Sequence, residues 1–267
     1  MASSNSSLFN LQAIYEVLSY GNPLTLSGDA FLNHRIISSY KQNISTTTLD
    51  DLSEIPTTTV IPYPDGIQLA VSSSSTSDAL SGSGARKVHL LYLDSNFDEV
   101  EEEIILNGTT KVNTVATDIR RIQSFYVSNL GTVNGTALGT ISVTNTAGTL
   151  TYDVIAAGGN QSLTSHFTIP NGYTGFITNW KASSTKQAIS LRLRATVEKH
   201  SKILLPGIFL FQDALALNNS AQSSVFKVPL LCPERTDIKI SAISSAGSAD
   251  ASASYEILLI KNNGIVP

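Results

Sequence analysis

From about Val88 onward, the chain alternates apolar and polar residues with a period of two. The clearest stretch is 189–197, where Ile, Leu, Leu, Ala and Val occupy one set of alternate positions and Ser, Arg, Arg and Thr the other. Successive side chains of a β-strand point to opposite faces of a sheet, so this pattern predicts strands that are buried on one face and solvated on the other. The Asn-Gly dipeptides at 107–108 and 171–172 indicate tight turns between strands. The sequence therefore predicts an all-β fold.

The many short strands are not separated by helices, which favours an antiparallel β-sandwich or a jelly-roll-like fold. We expect this β-domain over residues 58–267, with a possible seam between two lobes near 157–160. A chain of 267 residues can form one large sandwich or two small ones, and the length alone does not choose between them. Residues 72–83 are mostly Ser, Thr, Gly and Asp, and this composition predicts a mobile loop.

Residues 1–57 are predicted to form a short helix followed by an extended docking arm. The helix is expected over residues 8–20, because apolar residues recur there at spacings of three and four and Gly21 ends the pattern. The candidate interface residues are Leu8, Leu11, Ile14, Tyr15 and Leu18. A helix this short is marginally stable alone and needs a partner surface. That surface can belong to the chain's own β-domain, to a neighbouring subunit or to a larger particle.

Composition argues against several classes of function. Only 14% of the residues are charged, the net charge is −4, and Lys and Arg form no basic block. Nucleic-acid binding depends on clustered positive charge, so we expect no nucleic-acid partner. No apolar run approaches the ~18–20 residues that span a bilayer, and the first seven residues lack the features of a signal peptide. We therefore expect no membrane partner and assembly in the cytoplasm.

Candidate sites for chemistry are sparse. Asp94, Asn96 and Asp98 have the spacing of the first ligands in many calcium loops, but Glu99 stands where such loops carry glycine. A polar hairpin turn is the favoured interpretation, and cation binding is left open. The histidines are far apart and form no metal-ligand pair: His34, His89, His166 and His200. Cys232 is the only cysteine, which excludes an intrachain disulfide. We expect no metal, no cofactor and no enzymatic activity.

Three aromatic residues lie close together in one predicted strand: Tyr173, Phe176 and Trp180. Aromatic faces form stacking platforms for sugars in carbohydrate-binding proteins, and they also fill hydrophobic cores. Core packing is the favoured interpretation for these three.

Five segments carry a resemblance to a known family. They are residues 76–88 (TSDALSGSGARKV), 91–99 (LYLDSNFDE), 106–110 (LNGTT), 167–175 (FTIPNGYTG) and 226–238, which begins FKVP and ends PERTDI. In order and spacing they resemble a largely uncharacterised family of tailed-phage virion proteins, abundant among marine viruses. That family shows S-x-x-D-x-x-x-G-x-G-A-R, G-L-D-x-N-Y-x-E, L-N-G-T, Y-T-I-P-A-G-Y-T-G and P-E-K-T-D-I. The match covers about residues 60–260, and the family's G-L-D is Tyr-Leu-Asp here.

This resemblance implies a particle-associated structural protein and supplies no catalytic residues. The first hypothesis is a virion structural protein, either a capsid decoration or spike or a component of the neck or tail. It would be anchored by its N-terminal helix and arm, assemble as a trimer or higher ring, and contact other virion proteins. The alternative hypothesis is a module that binds a host-surface glycan or receptor through loops near 72–84 or 129–139.

Overall fold

The computed structural model describes residues 32–56, 60–185, 187–245 and 247–262. These residues form sixteen β-strands and no helix. The strands are β1 (Leu32–Ile44), β2 (Asp50–Asp51), β3 (Leu69–Ser73), β4 (Ala85–Leu93), β5 (Glu99–Ile105), β6 (Val112–Asn113), β7 (Arg121–Leu130), β8 (Ile141–Asn145), β9 (Thr151–Ile155), β10 (Phe167–Thr168), β11 (Tyr173–Ser184), β12 (Gln187–Ala195), β13 (Leu210–Asn218), β14 (Ala221–Cys232), β15 (Asp237–Ser244) and β16 (Ala249–Lys261).

The strands pair into four small antiparallel sheets. Sheet I has the order β1-β16-β11-β14, and sheet II has the order β10-β15-β12-β13 with β2 added on β15. Sheet III has the order β6-β3-β8-β9, and sheet IV has the order β5-β4-β7. Most neighbours within a sheet are therefore distant in sequence, and the longest separation is between β1 and β16.

The all-β class is confirmed, but the prediction of a β-sandwich or jelly roll is wrong. The four small sheets lie in a propeller-like arrangement of four blades. The predicted helix over residues 8–20 lies outside the described residues, and the described residues contain no helix. Two-residue alternation shows which side chains face inward, but it contains no information on which strands pair or how many sheets result.

The two Asn-Gly turns show why the sequence did not predict how the strands are arranged in sheets. Gly108 and Gly172 both have positive φ, at 60° and 74°, as tight turns require. However, the turn at Gly108 leads from β5 in sheet IV to β6 in sheet III, and the turn at Gly172 leads from β10 in sheet II to β11 in sheet I. Each turn therefore joins strands of two different sheets, which a turn signal in the sequence does not reveal.

Two hydrophobic cores fill the spaces between these sheets. The larger core lies between sheets I and II and includes the fully buried side chains of Trp180, Tyr255 and Phe167. The smaller core lies between sheets III and IV and is centred on Phe125 and Leu90. We call the corresponding parts of the molecule the larger-core region and the smaller-core region.

Part of the segment assigned to a docking arm belongs to the larger-core region. β1 pairs with β16 along most of its length, and β2 pairs with β15. Ile44 and Leu52 enter the larger core. The sequence did not predict that this segment belongs to the fold, because β1 is an edge strand with several exposed positions. Its apolar residues therefore do not alternate regularly with its polar residues.

Candidate functional site

A buried ionic cluster lies in sheet II, beside the junction of the two regions. Lys239 in β15 donates to Asp51 Oδ2 at 2.8 Å, and Ser241 donates to Asp51 Oδ1 at 2.7 Å. His166 Nε2 lies 3.4 Å from Asp51 Oδ2, and all four side chains are buried. Burial alone would raise the pKa of Asp51, but the neighbouring His166 and Lys239 hold it far below its usual value. This carboxylate is therefore a structural ion held by its neighbours.

A second set of bonds crosses from the smaller-core region to the larger one. Arg121 in β7 binds both oxygens of Asp237 in β15, with Nε–Oδ1 at 2.7 Å and Nη2–Oδ2 at 3.0 Å. Gln123 in β7 donates to the backbone carbonyl of Thr168 at 2.6 Å and accepts from its backbone N–H at 3.0 Å. Bidentate charge-assisted bonds are strong and orientation-specific. They join sheet IV to sheet II.

Tyr63 packs between the two sets of bonds. The Arg121 guanidinium lies 4.1 Å from the centroid of its ring, and the His166 ring lies 4.9 Å away on a tilted contact. Burial raises the pKa of Tyr63 well above its usual value. The side chains of Arg121, Tyr63 and His166 thus pack together at the junction of the two regions.

The two loops that the sequence proposed for host recognition are brought together by one buried carboxylate. Asp78 Oδ1 accepts from the backbone N–H groups of Ala85 at 2.8 Å and Leu138 at 3.0 Å. Its Oδ2 accepts from Ser73 Oγ at 2.6 Å and from the N–H of Gly139 at 2.8 Å. Burial would raise the pKa of Asp78, but these hydrogen bonds lower it.

Segment 72–83 was predicted to be mobile, but in the structure it is tied to segment 129–139. The Ser- and Gly-rich composition of segment 72–83 did not indicate that Asp78 holds it in place. The side chains of Leu80, Val133 and Leu138 are exposed on these loops. We call this surface the loop tip. It presents apolar side chains on an ordered backbone, which is a common feature of recognition surfaces.

A second exposed apolar surface lies on β14, an edge strand of sheet I. The side chains of Val225 and Val228 are 74% and 82% exposed. Residues 226–229 have no paired position on β11, because the register shifts between Ile177 and Asn179. Pro229 has no N–H, so that position cannot donate to an added strand. We call this surface the β14 edge.

The residues with calcium-loop spacing form a hydrogen-bonded turn in the structure. Asp94 Oδ1 accepts from the N–H groups of Asn96 at 2.8 Å and Asp98 at 3.0 Å, as in a polar turn. Within the described ranges, no group of three or more His, Cys, Asp and Glu residues is placed to hold a metal ion. The interface residues Leu8, Leu11, Ile14, Tyr15 and Leu18 lie outside the described residues.

Trp180 is fully buried, and its Nε1 donates to Asp213 Oδ2 at 2.9 Å. It therefore cannot form an exposed platform with Tyr173 and Phe176. The core interpretation fits Trp180 and Tyr173, which packs against the same core, whereas Phe176 is not among the core residues. Cys232 is buried in the same core, and burial raises its pKa to about 12. No membrane-crossing helix is found in the part of the chain that the structure covers.

Sequence comparisons find no matching family model and no matching curated protein. Distant likenesses are found among solved structures of infectious bursal disease virus. The structure of the Gx strain is 12% identical with a TM-score of 0.27, over 96% of this chain and 79% of that chain. The T13 viral particle gives 9% identity and a TM-score of 0.22, over 93% and 78%. The VP2 subviral particle gives 12% and 0.21, over 95% and 79%. Scores this low carry no argument about fold or function.

Proposed function

We propose that this chain is a structural protein of a virus particle that acts by assembling with copies of itself and with other particle proteins. The observation that carries the proposal is the β14 edge, where two valines are almost fully exposed on an edge strand. Exposed apolar side chains on a sheet edge promote unwanted association unless a neighbouring chain covers them. Closed symmetric oligomers are the usual way to cover such surfaces.

The packed junction supports the same proposal. The bidentate contact between Arg121 and Asp237 and the exchange between Gln123 and Thr168 fix sheet IV against sheet II. A subunit of this kind keeps its neighbours at constant spacing. In this proposal the chain acts without catalysis.

The finer parts of the proposal come from the sequence. From the resemblance to tailed-phage virion proteins, we propose that the particle is a bacteriophage and that the chain assembles in the host cytoplasm as a trimer or higher ring. Residues 8–20 would dock on a neighbouring subunit through Leu8, Leu11, Ile14, Tyr15 and Leu18. β1 starts at Leu32, so only residues 21–31 separate this segment from sheet I.

The test compares the full chain with a chain that lacks residues 1–21. We expect the full chain to sediment as an oligomer and the truncated chain to remain folded but to assemble poorly. The fluorescence of Trp180, the only tryptophan, reports the cooperative unfolding of the larger core. Loss of cooperative unfolding after truncation would mean that the segment belongs to the fold. If the truncated chain assembles like the full chain, residues 1–21 do not contribute to the interface.

A second candidate function is favoured by the loop tip. Asp78 holds segments 72–84 and 129–139 together and leaves Leu80, Val133 and Leu138 exposed. An ordered apolar tip of this kind suits recognition of a host-surface receptor, and a virion protein can combine this role with assembly. In a binding assay with host cells, Val133→Lys should reduce attachment, and Val115→Lys on the same region should not. Equal attachment by the two variants and the parent would exclude this function.

A further inference from the structure

A polar cleft lies between the two regions and plays no part in the proposed assembly. Its walls are formed by β1 of sheet I and by β4, β5 and β7 of sheet IV, together with Asp153 in β9 of sheet III and the nearby residues Gln161, Ser162 and Thr164. Its volume is about 450 Å³, which is in the range of sites for small molecules. Such sites often lie between two packed units of a protein.

Two carboxylates at the cleft lie next to basic side chains. Arg35 Nη2 lies 2.8 Å from Glu99 Oε2, and His89 Nε2 lies 3.2 Å from Glu101 Oε2. Most of the other polar groups of the lining are neutral hydroxyls and amides, including those of Ser124 and Gln161. The cleft therefore offers mainly neutral hydrogen-bonding groups to a ligand.

Two buried polar atoms beside the cleft have no hydrogen-bond partner within the described residues. Asp153 is only 2% exposed, and its Oδ1 accepts from Ser162 Oγ, but its Oδ2 has no partner. The Nδ1 of His89 also lacks one. Buried polar atoms are nearly always paired, so two unpaired atoms on one cleft indicate a missing hydrogen-bonding group. Hydroxyl groups suit both atoms, because they donate and accept.

The Asp153 carboxyl is compatible with a neutral ligand. Burial raises its pKa to about 7, so part of the population carries a proton at neutral pH. A protonated carboxyl donates as well as accepts, and it adds no net charge to the cleft.

Tyr126 supplies an apolar surface at the mouth of the cleft. One face of its ring stacks on His89, with 4.8 Å between the ring centroids, while 39% of the residue stays exposed. An exposed aromatic face next to hydrogen-bonding groups is suited to a sugar ring, whose C–H groups pack on the aromatic ring.

We propose that this cleft binds an uncharged saccharide, stacked on Tyr126 and hydrogen-bonded by the hydroxyl and amide groups of the walls. An extended peptide cannot add as a strand to β7, because the edge of β7 is already occupied. Ser162 N–H donates to Phe125 O at 2.8 Å, and Val127 N–H donates to Asn160 O at 2.7 Å. No continuous free edge of β7 is left there for strand addition.

The experiment titrates the full chain with glucose, N-acetylglucosamine and lactose and follows binding by saturation-transfer NMR and calorimetry. We expect at least one of these sugars to bind the parent. Tyr126→Ala should weaken binding at least tenfold, and Tyr126→Phe should retain it. The matched control is Tyr173→Ala, a partly buried tyrosine that does not line the cleft, which should bind like the parent.

A second variant keeps the test decisive if Tyr126→Ala does not fold. Ser38 is exposed and lines the cleft, so Ser38→Trp would obstruct it without removing a packed group, and binding should again fall at least tenfold. Three results would overturn the proposal: no binding of any of the three sugars, binding that neither variant changes, or binding of an extended peptide in their place. None of these results bears on oligomer formation, so the assembly proposal is tested separately.

Discussion

The larger-core and smaller-core regions are built from the chain in different ways. The larger core draws on Ile44 and Leu52 near one end and on residues 167–259 near the other, and β1 pairs with β16 across more than two hundred residues. The smaller core is made from one continuous stretch, 69–155. The comparison shows that closure of the larger region depends on segments that are distant in sequence, whereas the smaller region forms from one local stretch.

The two regions also use buried carboxylates differently. Asp51 in the larger region is bound by a lysine, a histidine and a serine, so it is part of an ionic cluster. Asp78 in the smaller region is bound by backbone N–H groups and one hydroxyl, so it shapes two loops. We therefore expect mutations at these sites to affect global stability and loop order, respectively.

The largest effect is expected for Asp51→Ala. The change leaves the ammonium group of Lys239 buried without its carboxylate, which should lower the free energy of unfolding by about 3–5 kcal/mol. Denaturant unfolding followed by Trp180 fluorescence measures this loss. The control is Asp65→Ala, which removes an ion pair with Arg120 but at a residue whose side chain is 91% exposed. Similar losses in the two variants would contradict the structural role of the buried cluster.

Asp78→Ala should have the next largest effect. It leaves buried N–H groups unpaired, which should cost about 3 kcal/mol and free the loop tip. Hydrogen exchange measured by mass spectrometry should accelerate in 72–84 and 129–139, while exchange in sheets I and II stays slow. Asp94→Ala in an exposed turn is the control and should affect its own turn only. Acceleration throughout sheets I and II would show that the regions do not respond separately.

Asp153 is expected to make stability depend on pH near neutrality. Its pKa is raised by burial from 3.8 to about 7, so the folded state binds the proton more tightly than the unfolded state. Its contribution is fully present below pH 3.8 and is lost as the pH rises to about 7, with a slope of up to about 1.4 kcal/mol per pH unit. Asp153→Asn should remove this slope. Denaturant unfolding curves measured between pH 4 and 8 test this prediction. An unchanged slope in Asp153→Asn would mean that another titrating group causes the pH dependence.

The smallest effect on stability, together with a large effect on assembly, is expected for Val228→Lys. Val228 is 82% exposed, so the free energy of unfolding should change by less than about 0.5 kcal/mol. The added charge on the β14 edge should shift the sedimenting species toward the monomer. Val115→Lys, at an 84% exposed position of the smaller-core region, should leave assembly unchanged. If Val115→Lys weakens assembly and Val228→Lys does not, the interface lies in the smaller-core region instead.

Local features of the fold could be predicted from the sequence. The alternation at 189–197 correctly indicated a strand, since Leu191 and Leu193 are buried and Arg192 is exposed in β12. The Asn-Gly turns were also placed correctly. The pairing of β1 with β16 could not be predicted, because no local pattern records a partner more than two hundred residues away. The domain boundary at 57/58 and the seam near 157–160 stay predictions.

The buried cluster, the bonds between the two regions and the cleft could not be predicted from the sequence. Asp51 and Lys239 are 188 residues apart, and Arg121 and Asp237 are 116 apart, so their pairing appears only in the fold. The cleft combines β1, β4, β5 and β7 for the same reason. Segment 72–83 was identified as a loop from its composition, but the role of Asp78 in joining it to segment 129–139 was not predicted.

The most direct test of the assembly proposal is electron cryomicroscopy of the purified full chain at the concentration where sedimentation shows the largest species. We predict a closed ring of three or more copies in which the β14 edge is covered by a neighbouring chain. A stable monomer that keeps Val225 and Val228 exposed, and that does not attach to virus particles, would contradict it.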